Sequence, residues 1–338
     1  MICKNLIKAN VAPIGTKQIS VFDESGQKVG FIPLHSLMFP QTSEKLYSFG
    51  AISDVHVVYD TAEADLQRAL KFFDKDNDIN FVCICGDLTD QGTETELAKY
   101  ANIVSTCITK PVYAIAGNHE HYGSKSNSYL QSYTGQPLYY SFNVGNDVFI
   151  MLGISSATSG SVFYDGSLQW LYETLEANRD KRCFLFEHIL CPEGSGDILN
   201  LYLYAKLGGT EGIVFKSLLK HYKNVVFFHG HCLMKFSWQK HGMTANYDKV
   251  FGIHSIHIPS LAVPRDDIDG DREYDIIYAD SEGYVVDVYE NGIHLRGRDF
   301  VKGEFLPIAS YWLDTTLKEI EPNTYTDTTG TIQITMEG

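Results

Sequence analysis

Short apolar runs recur along the chain, and each breaks off at a polar string. Phe81-Val82-Cys83-Ile84-Cys85 stops at Gly86-Asp87-Leu88-Thr89-Asp90, Val112-Tyr113-Ala114-Ile115-Ala116 at Gly117-Asn118-His119-Glu120, and Val225-Val226-Phe227-Phe228 at His229-Gly230-His231. Residues 46–52 lead in the same way to Asp54-Val55-His56, and Cys183-Phe184-Leu185-Phe186 leads to a solitary His188. Apolar residues at helical spacing fill some of the gaps, as with Leu66, Ala69, Leu70 and Phe73. Strand-length runs alternating with helical segments predict an α/β core. In open sheets of that class ligands bind beyond the carboxyl ends of the strands, so the polar strings are expected to meet at one edge.

Asp, His and Asn at successive strand ends are the oxygen and nitrogen donors that gather two divalent metal ions. Asp54 and His56 lie two apart at the end of a segment expected to be extended, which sends both side chains to one face. Glycines at 86, 117 and 230 let the backbone turn tightly beside a ligand. Asp87, with two carboxylate oxygens and a central place in the order, is the natural bridge. Taken singly, each residue has a plainer role: Asp54 as a strand-end turn carboxylate, Asp90 as a helix cap or loop staple. His35, His121, His221, His241, His254, His257 and His294 are read as surface or structural groups. The ordered set carries the metal reading.

Ahead of the core, residues 18–22 and 28–32 flank Asp23-Glu24-Ser25-Gly26 and predict a small strand-turn-strand element. The chain divides into this element (1–46), a main domain (47–317) and a Thr-rich tail (318–338). Within the main domain the pattern predicts helices near 62–73, 93–106 and 166–178 and further strands at 148–152, 183–186 and 225–228. An Asn291-Gly292 hairpin turn lies between 284–289 and 293–296. Residues 121–138 and 191–212 are expected to be polar loops whose tyrosines, Tyr122, Tyr129, Tyr133, Tyr202 and Tyr204, could stack a nucleobase.

A net charge of −15 over 338 residues argues against non-specific binding to nucleic acid or an anionic membrane, both of which reward clustered cations. It leaves room for a small anionic substrate held through metal. Cys83 and Cys85 read as small buried hydrophobes on one strand face, with no second close Cys pair for a zinc knuckle. No apolar run approaches the ~18 residues of a membrane span, and the N-terminus lacks a signal-peptide pattern, so a cytoplasmic location is expected. No protein partner can be read from the sequence.

The order Asp54-Val55-His56, Gly86-Asp87, Gly117-Asn118-His119-Glu120, His188, Gly230-His231 resembles that of the calcineurin-like metallophosphoesterases, and Tyr139-Tyr140-Ser141-Phe142 and Gln169-Trp170-Leu171 look like the family's middle region. The resemblance implies an α/β four-layer sandwich of two mixed β-sheets flanked by helices. It also implies a dinuclear centre of Mn²⁺, Fe²⁺/Fe³⁺ or Zn²⁺ that activates a hydroxide for in-line attack on a phosphodiester or phosphomonoester. By position, Asp54, His56 and Asp87 would hold the first ion, and Asp87, Asn118, His188 and His231 the second. His119 would protonate the leaving oxygen and Glu120 would orient it. The chain departs from the family pattern at Leu233, where a final histidine is expected. The first ion would then be held by three protein ligands, with His229 a better substitute than Cys232. Arg265 could bind phosphate, although a salt bridge to Asp266, Asp267 or Asp269 is the plainer role. The alternative to a hydrolase is a scaffold that keeps the fold with a weakened metal site.

Overall fold

The computed structural model describes residues 18–22, 28–33, 44–59, 61–123, 126–155, 162–189, 209–237, 245–248, 253–266 and 275–316. Two six-stranded sheets form its centre. The first runs in the order β16 (Glu304–Asp314), β15 (Gly292–Asp299), β14 (Glu282–Val288), β3 (Tyr47–Ile52), β4 (Ile79–Ile84), β5 (Val112–Ala114). The second runs β10 (Ala245–Asp248), β11 (Ile253–His257), β9 (Val225–His229), β8 (Cys183–Phe186), β7 (Asp147–Leu152), β6 (Tyr139–Val144). β3, β4 and β5 are parallel, as are β7, β8, β9 and β11, while antiparallel strands complete both sheets. Both sheets are therefore mixed.

The apolar runs are unbroken because these strands are covered on both faces. Along β4, Phe81 and Cys83, with Cys85 just beyond, point into the core between the sheets, and Val82 and Ile84 point outward. The inter-sheet core is dominated by aromatic rings. Phe49 meets Phe149 edge-on at 5.2 Å, Phe149 stacks on Phe184 at 4.8 Å, and Phe186 stacks on Phe228 at 4.8 Å. Offset and edge-on contacts of this kind add to the burial energy of each ring.

Helices close the outer faces. α1 (Ala62–Lys75) buries Leu66, Ala69, Leu70 and Phe73 against the first sheet. α2 (Glu94–Cys107) begins with a reciprocal capping box between Thr93 and Glu96, so Thr93, and not Asp90, caps it. α4 (Ser167–Glu176) and α5 (Gly209–His221) cover the second sheet with Leu171, Leu175, Phe215, Leu218 and Leu219. The result is helix, sheet, sheet, helix, the four-layer arrangement expected.

Several features depart from the sequence pattern. Residues 121–138 are not one loop: they begin at the end of a 3-10 turn (His119–His121) and contain α3 (Ser126–Thr134). Of 191–212, only the start of α5 is described, so Tyr202 and Tyr204 lie outside the described residues, as do His35, His241, Asp267, Asp269 and the tail. β6, β10, β11 and β16 were not anticipated as strands. In the N-terminal segment, β1 (Gln18–Phe22) and β2 (Lys28–Pro33) pair antiparallel with a register shift at Val21/Phe22, and β2 runs beside β16. No helix among the described residues is long and apolar enough to cross a membrane.

Candidate metal centre

Every polar string lies at the carboxyl end of its strand. Asp54 and His56 follow β3, Asp87 follows β4 and Asn118 follows β5, all on the first sheet, while His188 follows β8 and His231 follows β9 on the second. The sheets are tied together at this edge. Ser53 bridges Ser260 in parallel fashion, and Leu261 N donates to Ser53 O at 2.9 Å. Gly230 packs so close to the first sheet that a Cβ there would lie 1.9 Å from Ser53 Oγ, and one on Gly117 would lie 2.2 Å from Asp87 Oδ1. These glycines are required by close approach.

The backbone is strained where the strings turn. Asp54 (φ 55°), His56 (40°), Asp87 (50°), His231 (69°) and Leu233 (63°) are the non-glycine residues with positive φ among the described residues. That region is uncommon for side-chain-bearing residues and costs on the order of 1–3 kcal/mol each. Asp54 and His56 are thus not in extended conformation as expected; a left-handed turn presents them. The turn is held by Val55 N and His56 N, which both donate to Asp87 O at 2.8 and 3.0 Å.

Asp87 is the hub. Its Oδ2 lies 3.0 Å from His188 Nε2, 3.8 Å from His56 Nε2 and 3.9 Å from His119 Nε2. Two groups of donor atoms gather within 4.8 Å: Asp87 with His188 and His231, and Asp87 with His56 and His119. Asp54 belongs to neither group. Its oxygens accept from His231 N at 3.2 and 3.1 Å, and Oδ1 lies 3.9 Å from His188 Nε2.

Buried polar atoms normally find hydrogen-bond partners, yet here His56 Nδ1 and Nε2 and Asn118 Oδ1 are buried with none, while His188 Nε2 faces the Asp87 carboxylate at 3.0 Å. A neutral His56 keeps one lone pair and the Asn118 amide oxygen two, donors suited to a divalent cation, and an ion taking the place of the proton between His188 and Asp87 would free donors on both, so the residues fit the metal ions implied. Two of the rings are aimed by their other nitrogen, as ligating or proton-transferring histidines are. His188 Nδ1 donates to Cys85 O at 2.6 Å, and His119 Nδ1 donates to Asp90 O at 2.8 Å.

Charge states follow from burial and contact. Burial pushes His56 down to about 4 and His231 down to about 3, leaving neutral imidazoles with free lone pairs. Burial also works against ionising Asp87, but His188, His119 and His56 hold its carboxyl well below the usual range. For His188, burial lowers the pKa while Asp87 and Asp54 raise it, and the carboxylates win at about 10. Burial lifts Asp54 to about 6, with His188 opposing.

Glu120 does not orient His119. Its carboxylate is wholly buried, accepts from Thr89 N, Thr89 Oγ1 and Gly117 N at 2.9, 2.8 and 2.7 Å, and is pushed up to about 7 by burial and by Asp87. It staples the loop after β4 to the turn after β5. Asp90, through its carbonyl, is what holds His119, and its carboxylate accepts from Tyr59 Oη at 2.8 Å.

His229 does not fill the place of the missing ligand. Strand alternation turns Phe228 into the inter-sheet core and His229 to the opposite face, where its ring lies 5.3 Å from Phe227 and 5.5 Å from His257. Cys232 is buried, and burial pushes its thiol far up. Leu233 is buried as well, its carbonyl accepting from Arg265 N at 2.9 Å. In a separate acidic group, Lys235 and Lys302 pair with Asp280 and Lys302 with Asp299, while Glu282 accepts from Phe236 N and is pushed up to about 8 by burial.

The model of the calcineurin-like phosphoesterase family matches residues 47–243, more than half of the chain, and the chain belongs to that family. Among solved structures, purple acid phosphatase PPD1 from yellow lupin (Lupinus luteus) seeds aligns with a TM-score of 0.57 at 13% identity, over 82% of this chain and 55% of that one. The chain thus spans about half the length of that relative. TT1561 of Thermus thermophilus aligns with a TM-score of 0.43 at 10% identity, over 69% of this chain and 99% of that one. Vps29 from Cryptosporidium parvum aligns at 0.40 and 12%, over 80% and 100%. At such identities the likeness concerns the fold alone. No curated protein matches the chain.

Proposed function

We propose that the protein hydrolyses small anionic phosphoesters at the Asp87 centre. The observation that carries this reading is that one carboxylate, Asp87, belongs to two largely buried groups of donor atoms, with His188 and His231 in one and His56 and His119 in the other. Divalent ions bound there would supply a Lewis acid for the phosphoryl oxygens and a water of lowered pKa. The rest falls to the chain. Asp87 is shared between the two donor groups; Asn118, His188 and His231 would hold one ion and His56 the other, with Asp54 placed beside His188 and His231.

His119 acts as the acid. With Nδ1 fixed on the Asp90 carbonyl, Nε2 faces the centre and can deliver a proton to a departing ester oxygen. The ring is only partly buried, so it can exchange that proton with water. A diester is the favoured substrate, because no arginine clamp suited to a dianionic monoester stands out in the sequence.

Leu233 favours a second reading, a scaffold that keeps the fold and binds metal weakly. The retained acid at His119, which a scaffold does not need, speaks for the enzyme. Metal-stripped protein titrated with Mn²⁺ against bis(p-nitrophenyl) phosphate and p-nitrophenyl phosphate decides between them. Metal-dependent turnover that Asp87→Asn abolishes supports the hydrolase, and the ratio of rates reports the ester class. Metal binding with no turnover of either ester supports the scaffold.

A further inference from the structure

Asn118 differs from the other donors around Asp87 because its side chain has two ends of the same shape and opposite chemistry. Only Oδ1 offers a lone pair to a cation; Nδ2 presents two N–H donors that would repel one. A rotation of the amide by half a turn therefore changes a ligand into an obstacle. In the structure Nδ2 donates to Tyr122 Oη at 3.1 Å, and Oδ1 is left buried without a hydrogen-bond partner.

Tyr122 is brought to this place by the turn itself. Asn118 and Tyr122 flank the 3-10 turn His119–His121 with helical dihedrals, and Tyr122 N reaches His119 O at 3.4 Å, so residue 122 folds back over residue 118. The Tyr122 ring lies 4.7 Å from the His119 ring. Half of the residue is exposed (51%), yet its hydroxyl is turned toward a buried amide. A tyrosine serving only as surface would leave that hydroxyl in water.

We propose that Tyr122 is a positioning residue of the metal centre. Its hydroxyl, by accepting from Nδ2, keeps Asn118 with Oδ1 free for the ion, and its ring walls the open side of His119. This rests on the metal-centre reading above. The role is chemical as well as steric, which separates it from a plain turn staple: what matters is which end of the amide faces the ion.

The test is a double-mutant cycle read as Mn²⁺ affinity of the metal-stripped protein, by competition with a chelator and without any assay of turnover. Tyr122→Phe keeps the ring and the turn and removes only the hydroxyl. It is expected to weaken binding of the tighter ion by roughly tenfold, the lower end of what removing an outer partner of a ligand costs, with the melting temperature of the metal-free protein unchanged. In an Asn118→Asp background, where both ends of the side chain are oxygens, Tyr122→Phe is expected to change affinity by less than about twofold. Equal losses in both backgrounds would make Tyr122 a structural staple and overturn the inference. So would a Tyr122→Phe protein that binds Mn²⁺ as the wild type does. Wild-type protein that takes up no Mn²⁺ would instead bring down the metal centre itself, and this inference with it.

Discussion

The two sides of Asp87 are built differently. On one side His188 is wholly buried, its Nδ1 committed to Cys85 O at 2.6 Å and its Nε2 3.0 Å from the shared carboxylate. On the other side His56 has no hydrogen bond at either ring nitrogen and stands 3.8 Å away. A ligand whose ring is already aimed loses little freedom on binding, whereas an unanchored one must be ordered by the ion. The difference teaches that one half of the centre is preorganised and the other depends on what binds there.

The strongest way to break the comparison is to remove what the sides share. Asp87→Asn is expected to abolish binding on both, with a loss of turnover beyond the roughly 10–100-fold that an outer partner costs; metal content after dialysis and ester hydrolysis check it. A variant retaining one tight ion would show that the carboxylate is not shared. Next, His119→Ala should slow esters with poor leaving groups by about a hundredfold or more and nitrophenyl esters far less, because only a poor leaving group needs the proton. Equal losses on the two esters would end the acid role.

The comparison itself is sharpened by a pair of alanine variants. His188→Ala should lose the tighter ion, with affinity falling by at least about tenfold, while His56→Ala should spare it and lose only the weaker one. Chelator competition on both proteins gives the answer, and the reverse order would overturn the assignment of the preorganised half. The smallest effect is expected from Leu233→His. The position already has the left-handed backbone (φ 63°), which histidine tolerates better than leucine. A gain of about tenfold in the weaker ion's affinity would mark a donor missing from the site, and no change would mean that another group serves there.

Much of this arrangement could be read from the chain, for reasons that differ by residue. Asp87, His188 and His231 were legible because each ends an apolar run, and strand topology brings such ends together whatever the loops do. The inward set of Cys83 and Cys85 was legible from a period of two. Applied one step further, the same period would have placed His229 opposite Phe228 and away from the centre. The role of Glu120 was not legible because two of its three hydrogen bonds go to Thr89 on the turn after β4, and nothing local marks that partner. The left-handed turns at Asp54 and His56 have no glycine signature, so an extended segment was the natural expectation. β16 was hidden by Pro307, which a strand admits at an edge, and β16 is an edge strand. α3 was hidden by its polar composition, Ser126-Asn127-Ser128-Tyr129-Leu130-Gln131-Ser132-Tyr133-Thr134.

The backbone bridge between Ser53 and Ser260 sets a mechanical condition on the whole body. Donors from the first sheet and donors from the second meet at an edge where backbone contacts stitch the sheets, so an ion held there would act as a rivet through the sandwich. Parting the layers at this edge would then release the ion. Amides along the carboxyl ends of β3 and β9 should then exchange with solvent more slowly as metal is added, while those at the opposite ends of the same strands stay as they were.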